Sequence, residues 1–296
     1  MKLKPDCVVC SINGVLNLFK NGLLDPKYQE EIFRRVLKYY SEIDYDQLTL
    51  SAGKEIKKII YEVSGNDDPF KPLKDKFNQK AADYCDKYEN LIKNDTDPFD
   101  KALRLAIAGN IIDFGPTHDF DVDKKIEEVF QAKFPINDSK KLFAEIKKAK
   151  SILYLGDNTG EIVFDRLFLE IINHSNVTFA VRHSPVLNDA TIEDAHFVGI
   201  DKVVSKIITN GDNAPGTLLE SVSDEFLWHF NNSDLIISKG QGNFEGLSHV
   251  EDKNIYFLLT IKCDLVAKEI GLKKGDCIVK SALKAYSDIK IAPTGH

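Results

Sequence analysis

The sequence predicts an α/β fold in which a Rossmann-like, doubly wound, mostly parallel sheet is preceded by a helical domain. Residues 1 to about 145 carry helical patterns almost exclusively, and after Lys150 short apolar runs alternate with helical patterns. Such alternation is typical of a parallel sheet covered by helices. Because 296 residues suffice for two cores, we expect a helical domain at 1–145 and an α/β domain at 146–290.

Apolar stripes with helical spacing support the first half of this prediction. They consist of Ile32, Phe33, Val36, Leu37 and Tyr40, then Ile56, Ile59, Ile60 and Val63, then Phe77, Tyr84, Tyr88, Leu91 and Ile92. The breaks at residues 25–26, 66–69 and 94–98 combine Pro with Asp or Asn, which favour helix starts. The pattern therefore predicts a succession of amphipathic helices.

A very apolar helix is expected at residues 99–114, with Asn110 and Asp113 as polar exceptions on one side. Taken alone, the two residues are typical of a helix C-terminus before Gly115 and Pro116. The alternative is that they project into a polar crevice of the second domain, because their helix is otherwise too apolar to be solvated.

The segment 151–165 is the centre of the second half. Residues 152–155 predict a short buried strand, Gly156 breaks the run, and Asp157 and Asn158 follow. A helical pattern begins after these residues, with Thr159 or Asn158 as a suitable N-cap. The polar pair is thus expected at the carboxyl end of a strand, where open α/β sheets bind ligands.

Further strands are predicted at 177–181, 202–205, 235–238 and 255–261. The segments that follow the strands collect acids, amides, lysines and glycines, among them Arg182 to Asp189, the glycine-rich loop 209–216 and Lys239 to Asn243. Because the carboxyl ends of parallel strands share one edge, we expect these segments to converge on a single crevice.

Asp157, Asn158 and Asp189 offer hard oxygen ligands of the kind that suit Mg²⁺, Mn²⁺ or similar divalent ions. Each alone is equally typical of a strand-end cap. Together they predict a divalent metal site, with Mg, Mn, Co or Ni as candidates. The glycine-rich loops let backbone N–H groups approach an anion, and Lys239 adds a positive charge. The combination favours phosphate chemistry.

Five segments also resemble the motifs of the metal-dependent damage-control phosphatase family, in order and spacing: AGNIIDFG, LGDNTGEIVFD, VRHSPVLNDATIEDA, NGDNAPGT and SKGQGNFE. The resemblance implies hydrolysis of phosphomonoesters of small metabolites, such as sugar phosphates or damaged phosphometabolites. It maps the metal ligands to Asp157, Asn158 and Asp189, with Lys239 as a further catalytic residue. It implies a substrate pocket formed by Asn110, Asp113, Glu161, Arg182, Gly240 and Asn243. His183 stands where small residues are common in that motif.

The chain also resembles the branch of that family with an N-terminal Cys-x-x-Cys, here Cys7 and Cys10. Structural packing, an auxiliary metal or redox role with Cys263, and direct catalysis all remain open for this pair. An odd total of five cysteines fits a reducing compartment, and we expect a cytoplasmic location.

Composition excludes some functions. A net charge of −7 without a basic stripe argues against nucleic-acid binding, and no apolar stretch is long enough for a membrane span. The expected partner is a small phosphorylated metabolite, and the sequence leaves the oligomeric state open. Two alternatives to a phosphatase remain, namely a methyltransferase-like or other nucleotide-cofactor transferase, and a non-catalytic phosphometabolite-binding protein.

Overall fold

The computed structural model of the chain describes residues 1–109 and 121–283. Within these ranges the helices are α1 (Pro5–Lys20), α2 (Gln29–Glu42), α3 (Thr49–Ser64), α4 (Lys71–Lys93), α5 (Pro98–Ala108), α6 (Val122–Gln131), α7 (Ser139–Lys148), α8 (Glu161–Ile172), α9 (Ile192–Phe197), α10 (Asp224–Asn232), α11 (Gly240–Leu247) and α12 (Asp264–Ile270). The strands are β1 (Ile152–Leu155), β2 (Val177–Val181), β3 (Lys206–Thr209), β4 (Leu235–Lys239), β5 (Ile255–Thr260) and β6 (Cys277–Ser281).

The six strands form one sheet in the order β3-β2-β1-β4-β5-β6. Strands β1 to β5 are parallel, and β6 runs antiparallel to β5. The α/β fold with a mostly parallel sheet is therefore confirmed. The strand order reverses between β1 and β4, so the crevice at their carboxyl ends is the topological switch point where such sheets bind ligands.

The sheet is buried on both faces, which explains why its strands read as continuous apolar runs. Ile152 and Tyr154 belong to a core that includes Leu103 of α5 and Phe164 of α8. Leu153 and Leu155 point the other way, into a core with Phe226 of α10 and Phe244 of α11. Because successive side chains of a strand point to opposite faces, the four residues of β1 contribute apolar side chains to both cores.

The amino-terminal helices divide between two cores. Helices α1 to α3 share their own cluster, which includes Leu18, Ile32 and Ile56. Helices α4 to α7 instead contribute to the core on one face of the sheet. The division into domains at 1–145 and 146–290 stays a prediction. None of the helices described above combines the length and apolarity needed to cross a bilayer.

The structure differs from the predicted elements at three points. The strand expected at 202–205 is wrong, because Ile200–Lys202 is a 3₁₀ turn and β3 begins at Lys206. Val203 and Val204 are apolar because they pack against the core from outside the sheet. Helix α8 has Gly160 at its N-cap position instead of Thr159 or Asn158. Strand β6 is an addition to the predicted strands, although the turn at Gly275 and Asp276 directly before Cys277 was an available signal.

Candidate active site

The turn after β1 is joined to the loop after β2 by backbone hydrogen bonds. The N–H of Ala190 donates to the carbonyl of Asp157 at 2.8 Å, and the N–H of Thr159 donates to the carbonyl of Asn188 at 2.9 Å. Asn158 and Asp189 form a short antiparallel bridge between these bonds. The three predicted metal ligands therefore lie on two adjoining strand ends, as the sequence predicts.

Arg182, at the end of β2, ties the two acids together. Its Nε donates to Oδ2 of Asp189 at 2.6 Å, and its Nη2 lies 3.5 Å from Oδ1 of Asp157. The Nη1 atom donates to Oδ1 of Asn243 at 3.1 Å. Within the described residues Nη2 makes no hydrogen bond, although it is buried. The guanidinium thus orients both carboxylates and retains one donor at the site.

Several acidic side chains are buried together at this site. Burial, together with the neighbouring carboxylates of Asp189 and Glu161, raises the pKa of Asp157 to about 8. Burial also raises the pKa of Asp189, whereas Arg182 lowers it. Lys262, at the end of β5, lowers the pKa of both aspartates. Buried acids held close together in this way suit a bound divalent cation.

Gly240 leaves room for the Asp157 carboxylate. The glycine has φ +78°, and a Cβ placed on it would lie 1.9 Å from Oδ2 of Asp157. Any other residue would collide with the carboxylate and adopt a disfavoured backbone conformation. This explains a glycine at the start of α11, where the sequence predicts a pocket residue.

Lys239 does not face the open crevice. The side chain is fully buried, and its Nζ donates to Glu161 Oε1 at 2.8 Å, to Asp165 Oδ1 at 2.5 Å and to the carbonyl of Ala106 at 2.9 Å. Two buried carboxylates hold the ammonium beneath the site. This placement differs from the expected direct contact with a phosphate, and it makes Lys239 a support for Glu161.

Glu161 and Asn243 are also fully buried. The Nδ2 of Asn158 donates to Glu161 Oε2 at 3.1 Å and to Asp157 Oδ2 at 2.8 Å, so Glu161 orients the predicted ligand Asn158. Asn243 donates to the carbonyl of Lys239 at 2.8 Å and receives hydrogen bonds from Thr217 and Arg182. These predicted pocket residues therefore support the residues at the crevice.

A hydrogen-bond network that starts from α4 reaches the turn after β1. The N–H of Gly160 donates to Oδ1 of Asn78 at 2.7 Å, and Nδ2 of Asn78 donates to Oδ1 of Asp194 at 3.1 Å. Lys74, 1% exposed, lies 3.5 Å from Oδ2 of Asp194. Sequence reasoning missed this network. Its signal was present, since Lys74 and Asn78 are polar residues four apart on the buried face of α4.

Lys262 is a second residue that sequence reasoning left without a role. Its side chain is exposed, follows β5 at the sheet edge, and acts electrostatically on both Asp157 and Asp189. Its position after a predicted strand was the available signal. Asn110 and Asp113 lie outside the described residues, so their part in the pocket stays a prediction.

In the described ranges, no group of three or more His, Cys, Asp or Glu side chains is arranged to hold a metal ion. The predicted ligand set contains two carboxylates and an amide, and so falls outside that kind of group. Cys7, Cys10 and Cys263 are free thiols that line a cavity of about 390 Å³ together with Lys262. Burial raises the pKa of Cys7, which makes its thiol less reactive.

Comparisons with known proteins agree with this architecture. Residues 3–278 match the model of the damage-control phosphatase ARMT1-like domain. A damage-control phosphatase of Pyrococcus horikoshii is 37% identical over 280 residues, which span 93% of this chain and 96% of that protein. One from Archaeoglobus fulgidus is 32% identical over 95% of this chain and 99% of that protein.

A solved structure agrees as well. The crystal structure of a DUF89 family protein from Pyrococcus horikoshii superposes with a TM-score of 0.87 at 36% identity, covering 95% of this chain and 99% of that one. These matches favour a phosphatase over the transferase and the non-catalytic binding protein. The chain belongs to the damage-control phosphatase ARMT1-like domain family, and it is a phosphatase.

Proposed function

We propose that this phosphatase hydrolyses phosphomonoesters of small metabolites, such as sugar phosphates or damaged phosphometabolites, with a divalent ion held by Asp157, Asn158 and Asp189. One observation carries the proposal. Two buried aspartates and an asparagine converge at the topological switch point, and Arg182 pairs with both acids.

The donor set fits a hard divalent ion such as Mg²⁺, Mn²⁺, Co²⁺ or Ni²⁺. Carboxylate and amide oxygens are the ligands that such ions prefer, and three protein ligands leave positions for substrate and water. Burial and the neighbouring carboxylates of Asp189 and Glu161 raise the pKa of Asp157 to about 8, and a bound cation would favour its ionised form. When bound, the ion would supply Lewis-acid polarisation of the phosphoryl group and a lowered pKa of water.

The residues around the ligands have separate roles in this proposal. Arg182 fixes the orientation of Asp189 through the 2.6 Å hydrogen bond, and its Nη2, which makes no hydrogen bond within the described residues, suits a phosphate oxygen. Lys262 is the exposed cation beside both acids and would attract the phosphate dianion. Lys239 donates to Glu161, which in turn accepts a hydrogen bond from the amide of Asn158.

Phosphate release from a panel of metabolite phosphomonoesters tests the proposal. The protein is first treated with chelator and then assayed with each of the four ions. We expect turnover that depends on added metal, and Asp189→Asn should lower metal affinity and activity together because it removes a ligand charge. Asp201→Asn is the matched control, since Asp201 is exposed on the same half of the chain.

Full activity in the chelated protein, or Asp189→Asn turnover equal to wild type at low metal concentration, would contradict the metal assignment. Calorimetric titration of each ion into the protein measures the same loss of affinity without substrate.

A further inference from the structure

A cavity of about 520 Å³ lies between α3 and the loops that follow β2 and β3. Lys54, Lys57 and Lys58 line it from the helix, and Ser184 and Ser221 line it from the loops. None of these residues takes part in the site at Asp157 and Asp189. The cavity is large enough for a small polar group, and its wall carries three lysines and three carboxylates, Glu55, Asp67 and Glu220.

The three lysines differ in how their charges are used. Lys54 pairs with the buried carboxylate of Asp212, and Lys58 pairs with Glu55 at 3.1 Å. Lys57 is half-buried and donates to the hydroxyl of Ser184 at 3.0 Å. Across the part of the chain that the structure describes, Lys57 forms no ion pair. It is therefore the lysine of this wall with an ammonium available to a ligand.

Two further features suit this cavity to a polar ligand. Burial lowers the pKa of Lys57, although Asp67, Asp68 and Asp212 oppose the shift, so its charge is incompletely compensated. The Oδ1 atom of Asn213, which lines the same cavity, is buried and has no hydrogen-bond partner within residues 1–109 and 121–283. A ligand with an anionic group and a hydroxyl would satisfy both.

The cavity is connected to the candidate active site through the loop after β2. Ser184 lies two residues after Arg182, whose guanidinium contacts Asp157 and Asp189. Consecutive residues span at most about 3.6 Å each, so the Cα of Ser184 lies within about 7 Å of the Cα of Arg182. Lys57 also lines a second cavity of about 280 Å³, bounded by Val186 and Leu187. Leu187 has φ +47°, a strained value of the kind that clusters at functional sites.

We propose that this cavity is a subsite for a second anionic group of the substrate, a carboxylate or a second phosphate, with Lys57 as its cation. The proposal rests on the proposed phosphatase function and narrows it to phosphomonoesters that carry another negative charge. The wall also carries the carboxylates of Glu55, Asp67 and Glu220. Glu55 is paired with Lys58, and Asp67 counters the lowering of the Lys57 pKa.

Matched substrates test the subsite. We compare 3-phosphoglycerate with glycerol 3-phosphate, which differ by a carboxylate, and glucose 1,6-bisphosphate with glucose 1-phosphate, which differ by a phosphate. The wild type should prefer the compound that carries a second anionic group in at least one pair, and the pair that shows this preference identifies the group. Lys57→Met should lower that preference, as a ratio of kcat/KM values, about tenfold or more.

Two variants sharpen the comparison. Lys57→Arg should restore most of the preference because it restores the charge, and Lys58→Met should leave the ratio at its wild-type value because Lys58 is exposed and paired. A wild type without preference in either pair would overturn the proposal. The proposal would also be overturned if Lys57→Met lowered kcat/KM equally for both members of a pair.

Binding measurements distinguish a failure of the subsite proposal from a failure of the proposed function. Calorimetry measures the affinity of the four compounds for wild type and Lys57→Met without turnover. If no compound releases phosphate, the proposed function fails. Tighter binding of a compound with a second anionic group still supports the subsite in that case, provided that Lys57→Met abolishes the difference in affinity. Equal affinities within both pairs would refute the subsite even in an active phosphatase.

Discussion

The Oδ1 atom of Asn78 on α4 accepts a 2.7 Å hydrogen bond from the backbone N–H of Gly160, the residue that precedes α8. This bond connects a helix of the amino-terminal half to the turn that carries Asp157 and Asn158. Gly160 has φ +77°, so its N–H direction is set by an unusual backbone conformation. The position of the proposed metal ligands therefore depends on a residue 82 positions earlier.

We predict that Asn78→Asp weakens Mn²⁺ binding about tenfold or more, the range found for residues that orient metal ligands. The new carboxylate still accepts from Gly160 but faces the carboxylate of Asp194. Adding Asp194→Asn should restore affinity, because the new amide donates to position 78 while its oxygen accepts from Thr191. Calorimetry with Mn²⁺ measures the effect.

Asn90→Asp, on the exposed side of α4, is the control for the helix and should bind Mn²⁺ like the wild type. The prediction fails if the double variant binds Mn²⁺ no better than Asn78→Asp while both remain folded.

The buried ammonium of Lys239 should be important for stability. Lys239→Met leaves the carboxylates of Glu161 and Asp165 buried without their cation, and we expect the free energy of unfolding at pH 7 to fall by about 3–5 kcal/mol. Urea denaturation followed by circular dichroism measures it. Lys206→Met is the surface control, because its pair with Glu225 is exposed and should contribute less than about 1 kcal/mol. Similar losses in the two variants would show that the network is dispensable.

Gly240→Ala should disable the site through a collision. Its Cβ would meet the Asp157 carboxylate, whereas a Cβ on Gly271 would meet no described atom within 4 Å, at a similar φ of +71°. Both variants should lose about 1–2 kcal/mol of stability through left-handed strain. Only Gly240→Ala should also lose metal affinity and phosphatase activity. Equal phosphatase activity in Gly240→Ala and Gly271→Ala would show that the site does not require the close approach of the Asp157 carboxylate to the Gly240 backbone.

Asp165 predicts a pH dependence of stability. Burial raises its pKa from 3.8 to about 6 in the folded protein, with Lys239 opposing the shift. The folded state therefore binds the proton of the Asp165 carboxyl more tightly than the unfolded state does. The stabilisation that this protonation gives the fold is fully present below pH 3.8 and is lost as pH rises through 6. Relative to Asp165→Asn, the wild type should become less stable between pH 4 and pH 6. Parallel pH profiles of the unfolding free energy would contradict this.

The sequence predicts the convergence of Asp157, Asn158 and Asp189 because parallel strands end at one edge, a rule that needs only strand positions. It does not predict where Lys239 points. A lysine at a strand end reaches either the open crevice or the helix beneath, and the outcome depends on Asp165, one helical turn beyond Glu161. Asn78 could not be paired with Gly160 for a similar reason, since nothing local relates α4 to that turn.

The Lys239 network has a consequence for the order in which the molecule is assembled. Lys239 neutralises Glu161 across 78 residues of chain, and Glu161 in turn holds Asn158. During synthesis the metal-binding turn is complete long before β4 exists, but its supporting cation arrives only with β4. A nascent chain that ends before residue 239 carries all three proposed ligands and lacks the means to hold them. Metal capture is therefore expected as a late event, after β4 has joined β1.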